Sequence, residues 1–198
     1  GSNAQPAAFA GSVSCRECHQ KFYDLWSTSF HGLAMQPYTP ELAAAKLTAQ
    51  TNEIETGKYR FLADVEKGVV IERTPGGEKS YPMVQAMGGK NVFYFLTPLD
   101  RGMLQVLPVA YDMRRREWFD TTASAMRHFG DRQDEALYWK ERPLTFNTSC
   151  FSCHVSQLSK NYEPETDSYH TAWAEPGINC ETCHGPSAGH VDLFRHLP

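Results

Sequence analysis

Six cysteines and three of the eight histidines of this 198-residue chain fall into one repeated spacing. The three copies are Cys15-Arg-Glu-Cys18-His19, Cys150-Phe-Ser-Cys153-His154 and Cys180-Glu-Thr-Cys183-His184. Two thiols one helical turn apart can form thioethers to the two vinyl groups along one porphyrin edge. The next residue then brings an imidazole nitrogen beneath the iron. Cys-x-x-Cys alone would also suit a zinc ribbon or a redox dithiol, and the last two pairs have zinc-ribbon separation. A zinc site built from cysteines gives no reason for the histidine, however, and leaves the first pair without a partner. With histidine at 8 of 198 positions, three such neighbours arising by chance has a probability on the order of one in ten thousand. The residues therefore predict three covalently bound haem c groups. Cys15, Cys18, Cys150, Cys153, Cys180 and Cys183 would attach them, with His19, His154 and His184 as proximal iron ligands.

Five histidines remain for the opposite face of an iron: His31, His128, His170, His190 and His196. Bis-imidazole ligation is the usual expectation for a small His-rich multihaem chain. His190 and His31 are read as distal ligands, His170 and His128 as further candidates, and His196, near the chain end, as the weakest. His31 is expected on the same helix as His19, some three turns on, where it cannot reach that iron. His190 follows Gly185-Pro186, which stops a helix and turns the chain, so it is expected to serve a haem other than that of His184.

The elements that must position these residues follow from their neighbours. Ser14, Ser149 and Asn179 precede the three motifs and are favoured N-caps, and Ser14 with Glu17 has the spacing of a capping box. A haem-bearing helix is predicted over 14–36, with Phe22, Tyr23 and Trp26 available to cover a porphyrin face and Pro37 to end it. A short alanine-rich helix is expected over 41–50. Residues 57–112 read as an inserted antiparallel β-meander, with strands at 59–65, 69–74, 81–87, 91–96 and 103–110 separated by turn residues. A helix over 131–141 opens the region of the second and third motifs, 131–198. Residues 1–10 read as a tag remnant and disordered leader, and 11–198 as a single domain. The predicted fold class is α+β: a loop-rich multihaem cytochrome with short haem-bearing helices around a β-rich insert.

Composition narrows the function. At 41% apolar and 21% charged the chain is globular, and no apolar run reaches the ~18 residues of a membrane-spanning helix. A net charge of −4 argues against nucleic-acid binding, which favours a basic excess. Three haems would carry the charge to about −7 when ferric and about −10 when ferrous, so redox partner proteins with basic surfaces are expected. There is no nucleotide-binding loop, serine-hydrolase elbow or HExxH helix. Arg114-Arg115-Arg116 reads as a solvated turn or a partner for haem propionates, Asn147-Thr-Ser149 as capping chemistry despite its sequon, and the four tryptophans as core or haem packing.

Ser-x-His31-x-x-Ala-Met, together with Cys-x-x-Cys-His184-Gly-Pro-x-x-x-His190-Val, resembles the multihaem cytochromes c related to the nitrifier tetrahaem electron carrier. Gly-Gly-Lys-Asn near residue 88, Leu104-Gln-Val-Leu-Pro-Val-Ala-Tyr, Trp118-Phe-Asp and Asp167-x-Tyr-x-Thr-x-Trp173 are similar to a bacterial branch whose haem module often precedes tetratricopeptide repeats. The resemblance implies that His190 ligates the iron of His19, that His31 serves a fourth haem, and that the haem of His154 lacks a sixth protein ligand. No fourth Cys-x-x-Cys-His is present, so a fourth haem site or a repeat domain is expected beyond Pro198. The implied function is electron transfer between extracytoplasmic redox partners, in the periplasm or its equivalent, a signal peptide having been removed. The alternative is a haem enzyme that turns over a small nitrogen species or peroxide at a five-coordinate haem held by His154.

Overall fold

The computed structural model describes residues 8–122 and 137–196. Helix α1 (Ser12–Ser27) carries the first motif, and after it the chain doubles back into strand β1 (Met35–Pro37). The helix is shorter than the predicted 14–36, and its end has a local cause. Ser27 and Thr28 hydroxyls donate back to the Asp24 carbonyl, a competition that loosens a helix end. The returning chain then brings Gly32 so close to the Trp26 carbonyl that a Cβ would sit 2.4 Å from it. Helix α2 (Pro40–Lys46) is capped by Thr39, whose hydroxyl accepts from the Leu42 N–H.

The β-rich insert is two sheets. Strands β2 (Ile54–Thr56), β3 (Tyr59–Asp64), β4 (Val69–Thr74) and β5 (Gly77–Pro82) form a four-stranded antiparallel meander. Strands β6 (Gln85–Gly88), β7 (Val92–Pro98), β8 (Leu104–Asp112) and β9 (Glu117–Asp120) form a second sheet, closed at one edge by β1 in the order β1-β6-β7-β8-β9. The predicted single strand at 81–87 is broken because the chain passes there from one sheet to the other. Pro82 ends β5; then the Met83 N–H reaches Gly68 and the Val84 N–H reaches Leu96. The arginine run occupies the exposed turn between β8 and β9, where the Asp112 carboxylate accepts from the Arg114 and Arg115 N–H groups. Those bonds hold the Asp112 carboxyl below its usual range.

Apolar residues of both sheets pack into one core, with Phe61, Val70, Phe93, Phe95, Leu96, Leu107 and Tyr111 at 2% exposure or less. The sheets thus have a close-packed interior of their own. The haem-motif helices differ: Ser12 is the sole buried residue of α1, while Phe22 and Leu25 are exposed.

Helices α3 (Phe146–Ser149) and α4 (Phe151–His154) carry the second motif, followed by the short strand β10 (Val155–Ser156), the hairpin β11 (Tyr162–Glu163) and β12 (Ser168–Tyr169), and β13 (Glu175–Pro176), which pairs with β10. Helices α5 (Cys180–His184) and α6 (Ala188–Arg195) complete the described chain. The helix predicted at 131–141 lies mostly outside the described residues, and its described end, 137–141, is turn and coil.

The second motif is tied to the large sheet by buried amides. Gln105, fully buried on β8, donates to the carbonyls of Trp139 and Glu141 and accepts from the Thr145 hydroxyl. Asn147 accepts from the Leu104 N–H and donates to the Gly102 carbonyl and the Thr171 hydroxyl. Its side chain is fully buried, so the folded chain has no free amide at this sequon. Gln105→Leu would keep the volume but strand two carbonyls and a hydroxyl, each costing about 1–3 kcal/mol when buried without a partner. Urea unfolding should show a loss in that range or above, with an unchanged m-value.

Candidate haem-binding site

All three motifs use the same local device, a short helix that ends or breaks at its histidine. His154 and His184 are the last residues of α4 and α5, and His19 interrupts α1 with non-helical angles of φ −117° and ψ 39°. In each motif the first cysteine is half-buried and the second is exposed, and all six are free thiols. Burial pushes the Cys150 thiol up, and burial with the nearby Cys180 does the same to Cys15.

The expected N-caps fare differently. Asn179 caps α5 as predicted, its side-chain oxygen accepting from the Thr182 N–H at 2.9 Å. Ser14 instead lies inside α1, where its hydroxyl donates to the Gly11 carbonyl, and Ser149 ends α3. The open N–H groups at the start of α1 are taken by carboxylates from the other end of the sequence. Glu181 accepts from the Ala10 and Gly11 N–H groups at 2.9 Å, and Glu175 from the Ser12 N–H and hydroxyl at 2.7 Å. Glu17, freed from the capping box, forms a forked pair with Arg195 of α6, and Arg195 lowers its pKa. The Ala8 carbonyl accepts from the Ala188 N–H, so residues 8–10, expected to belong to a disordered leader, are tied to α6.

These ties bring the first and third motifs together around a cleft of about 890 Å³, lined by Cys15, His19, His31, Cys180, Cys183, His184 and His190, with Phe22, Tyr23, Leu25 and Trp26 along one wall. That volume lies toward the upper end of the ~300–1,000 Å³ typical of cofactor sites. The His19 and His190 rings are near-parallel, 16° apart, with centres separated by 6.3 Å. A metal between two imidazoles, bonded to each at about 2.0–2.1 Å, puts the ring centres about 6.3 Å apart. His31 lies in the turn after α1, not on the helix as predicted, and reaches the same cleft.

His154 is set apart from this cleft but tied to it. Its Nδ1 lies 2.5 Å from the Ala34 carbonyl, a bond that makes Nδ1 the protonated nitrogen and leaves Nε2 as the metal donor. His170 is an exposed residue beside Glu163 on the β11–β12 hairpin, and His196 is an exposed residue whose ring bonds the Asp192 carbonyl. Both stand outside the cleft, and His128 lies outside the described residues.

The donor set suits haem c: free paired thiols, an imidazole at each helix end, a second imidazole facing His19, and an apolar wall. A bare zinc ion wants four donors, and among the described residues no three His, Cys, Asp or Glu side chains gather to hold an ion. Sequence reasoning missed Glu175, Glu181 and the Ala34 carbonyl. An acid between the cysteines of the third motif was the one visible signal.

Comparison with known proteins bears on the family and the fold. The family model described as cytochrome c554 and c-prime matches residues 14–63 and 114–185. Among solved structures, the outer cell wall cytochrome OcwA matches with a TM-score of 0.57 and 18% identity over 96% of this chain. The chain spans 34% of that protein's length. No curated protein matches the sequence.

Burial works to raise the Glu181 carboxyl, but the hydrogen bonds from Ala10, Ser187 and Gly11 outweigh it and its pKa is lowered. Its stabilising effect is thus full above the unfolded carboxyl value of about 4.3 and lost as pH falls through the lowered folded value. Glu181→Gln should lower stability at pH 7 by about 1–3 kcal/mol, and the gap to wild type should narrow as pH falls below about 4.3, measured by urea unfolding at neutral and acidic pH.

Proposed function

Because the chain belongs to the cytochrome c554 and c-prime family, we propose that it is an electron-transfer module with three covalent haems, acting outside the cytoplasm. The observation that carries this reading is the shared cleft. It joins the first and third motifs around one apolar space and sets His190 at 6.3 Å from His19. Bound haem supplies one-electron exchange at iron. The chain's own residues would do the rest. Cys15 and Cys18, Cys150 and Cys153, and Cys180 and Cys183 hold the three groups, with His19, His154 and His184 as proximal donors.

His190 would complete the coordination of the His19 iron. Phe194, whose ring centre lies 4.8 Å from that of His190, would limit its rotation. His31 is the cleft imidazole left for a further iron, and the wall of Phe22, Leu25 and Trp26 would exclude water. A low-dielectric, rigid surround lowers the reorganisation that accompanies each change of iron charge. The extracytoplasmic setting rests on haem attachment to Cys-x-x-Cys-His occurring outside the bacterial cytoplasm; no described helix is long and apolar enough to cross a membrane. The acidic, haem-loaded surface would favour partners that present basic patches.

Protein matured by a haem-attachment system should carry three haems by pyridine haemochrome assay and intact mass. Fewer would sink the count. Exchange of Cys150 and Cys153 for Ala should remove one haem and leave the cleft pair. His190→Ala should convert one low-spin haem to high-spin and add one cyanide-binding iron to the number titrated in wild type. The same cyanide titration of wild type tests the alternative of an enzyme acting at His154, since catalysis there needs an open iron and a wild-type protein that binds no cyanide would exclude it.

A further inference from the structure

We propose that Ala34 and Gly177 are positioning residues for His154: the Ala34 carbonyl fixes the imidazole, and Gly177 holds that carbonyl in place. The proposal rests on the reading that His154 ligates a haem iron, and it assigns what tunes that ligand.

Three segments cross at this point. The Ala34 carbonyl accepts from the His154 ring at 2.5 Å and from the Gly88 N–H at 2.8 Å. The second bond fastens it to β6 and through β6 to the large sheet. Gly177 occupies the space between His154 and the turn that leads to Ala34. Its N–H donates to the His154 carbonyl at 2.9 Å, and the next residue, Ile178, donates to the His31 carbonyl at 3.0 Å. At φ +78°, a Cβ on Gly177 would lie 2.9 Å from both the His31 and Gly32 carbonyl oxygens. These are main-chain atoms in a turn already held by Ile178, so only glycine fits.

A methyl group at 177 would push the 31–34 turn away from His154 and lengthen the bond to Nδ1. An imidazole with a carbonyl on its far N–H is the more basic donor and favours the ferric state. Weakening that bond raises the potential of that haem. His19 and His184 lie on other helices, so their haems would shift less, even though the displaced turn carries His31.

The test is spectropotentiometry of the haem-loaded protein. His154→Met identifies the transition that belongs to this haem. If it displaces none, the reading of His154 as an iron ligand fails. Gly177→Ala should then move that same transition to more positive potential by a factor of about ten in the reduction equilibrium, about 59 mV for one electron. Gly57→Ala is the control. It shares the positive φ, at +60°, but its Cβ would meet nothing within 4 Å, and it should move none. No shift in Gly177→Ala, or an equal shift of all transitions, overturns the proposal. Should that variant fail to fold, the ferrous wild-type protein labelled with ¹⁵N-histidine decides. One imidazole N–H, that of His154, should resist exchange with deuterium, and rapid exchange of every imidazole proton overturns the assignment.

Discussion

The carboxylate of Glu181 is the interaction on which the cleft depends. It sits between the two cysteines of the third motif, yet it is committed to other segments: the N–H groups of Ala10 and Gly11, and both the N–H and the hydroxyl of Ser187. A carboxylate at the start of α1 also opposes the positive end of the helix dipole. Through these bonds one side chain fixes where α1 begins, how α5 lies against it and where the chain turns into α6. The convergence of His19, His184 and His190 on a common space follows from that placement. Glu175 repeats the device one residue further along α1, at Ser12.

The molecule divides its stability unevenly. The two sheets bury large aromatic and aliphatic side chains, and Glu72 beneath them accepts from the Trp139 indole at 2.7 Å, with the Lys140 ammonium over the Tyr81 and Trp139 rings. The cleft helices bury little apolar surface of their own and rely on polar ties to one another. Phe22, Leu25, Leu193 and Phe194 are exposed, a pattern suited to helices whose apolar partner is a porphyrin. The sheets thus serve as a rigid base, and Gln105, Asn147 and the β1–β6 edge transmit that rigidity to the second motif.

What could be read in the sequence was what depends on near neighbours. The short helices at the Cys-x-x-Cys-His motifs, the Asn179 cap, the β3–β4 hairpin and the helix break at Gly185 are each set within about five residues. What could not be read depends on distant partners. Ser14 has the right chemistry for an N-cap, but the groups that occupy its role, Glu175 and Glu181, lie more than 160 positions away. The helix at 14–36 was over-long because periodicity does not reveal that Gly32 returns to the Trp26 carbonyl. The strand at 81–87 was drawn through a sheet boundary because Pro82 and Val84 both suit extended chain. His31, expected on α1, lies instead in the turn after it and lines the cleft.

The pairing of Ala10 with Glu181 joins residues separated by 171 positions, and it closes the same cleft in which His190 faces His19. A chain synthesised from its N-terminus presents the first motif long before that closing segment exists. Contacts of such span form late, after the local ones. On the proposed ligation, a haem joined to Cys15 and Cys18 before that closure would have one protein ligand on its iron, and the second would come with the last helix. Assembly would then have an order in time, with enclosure of the first motif last.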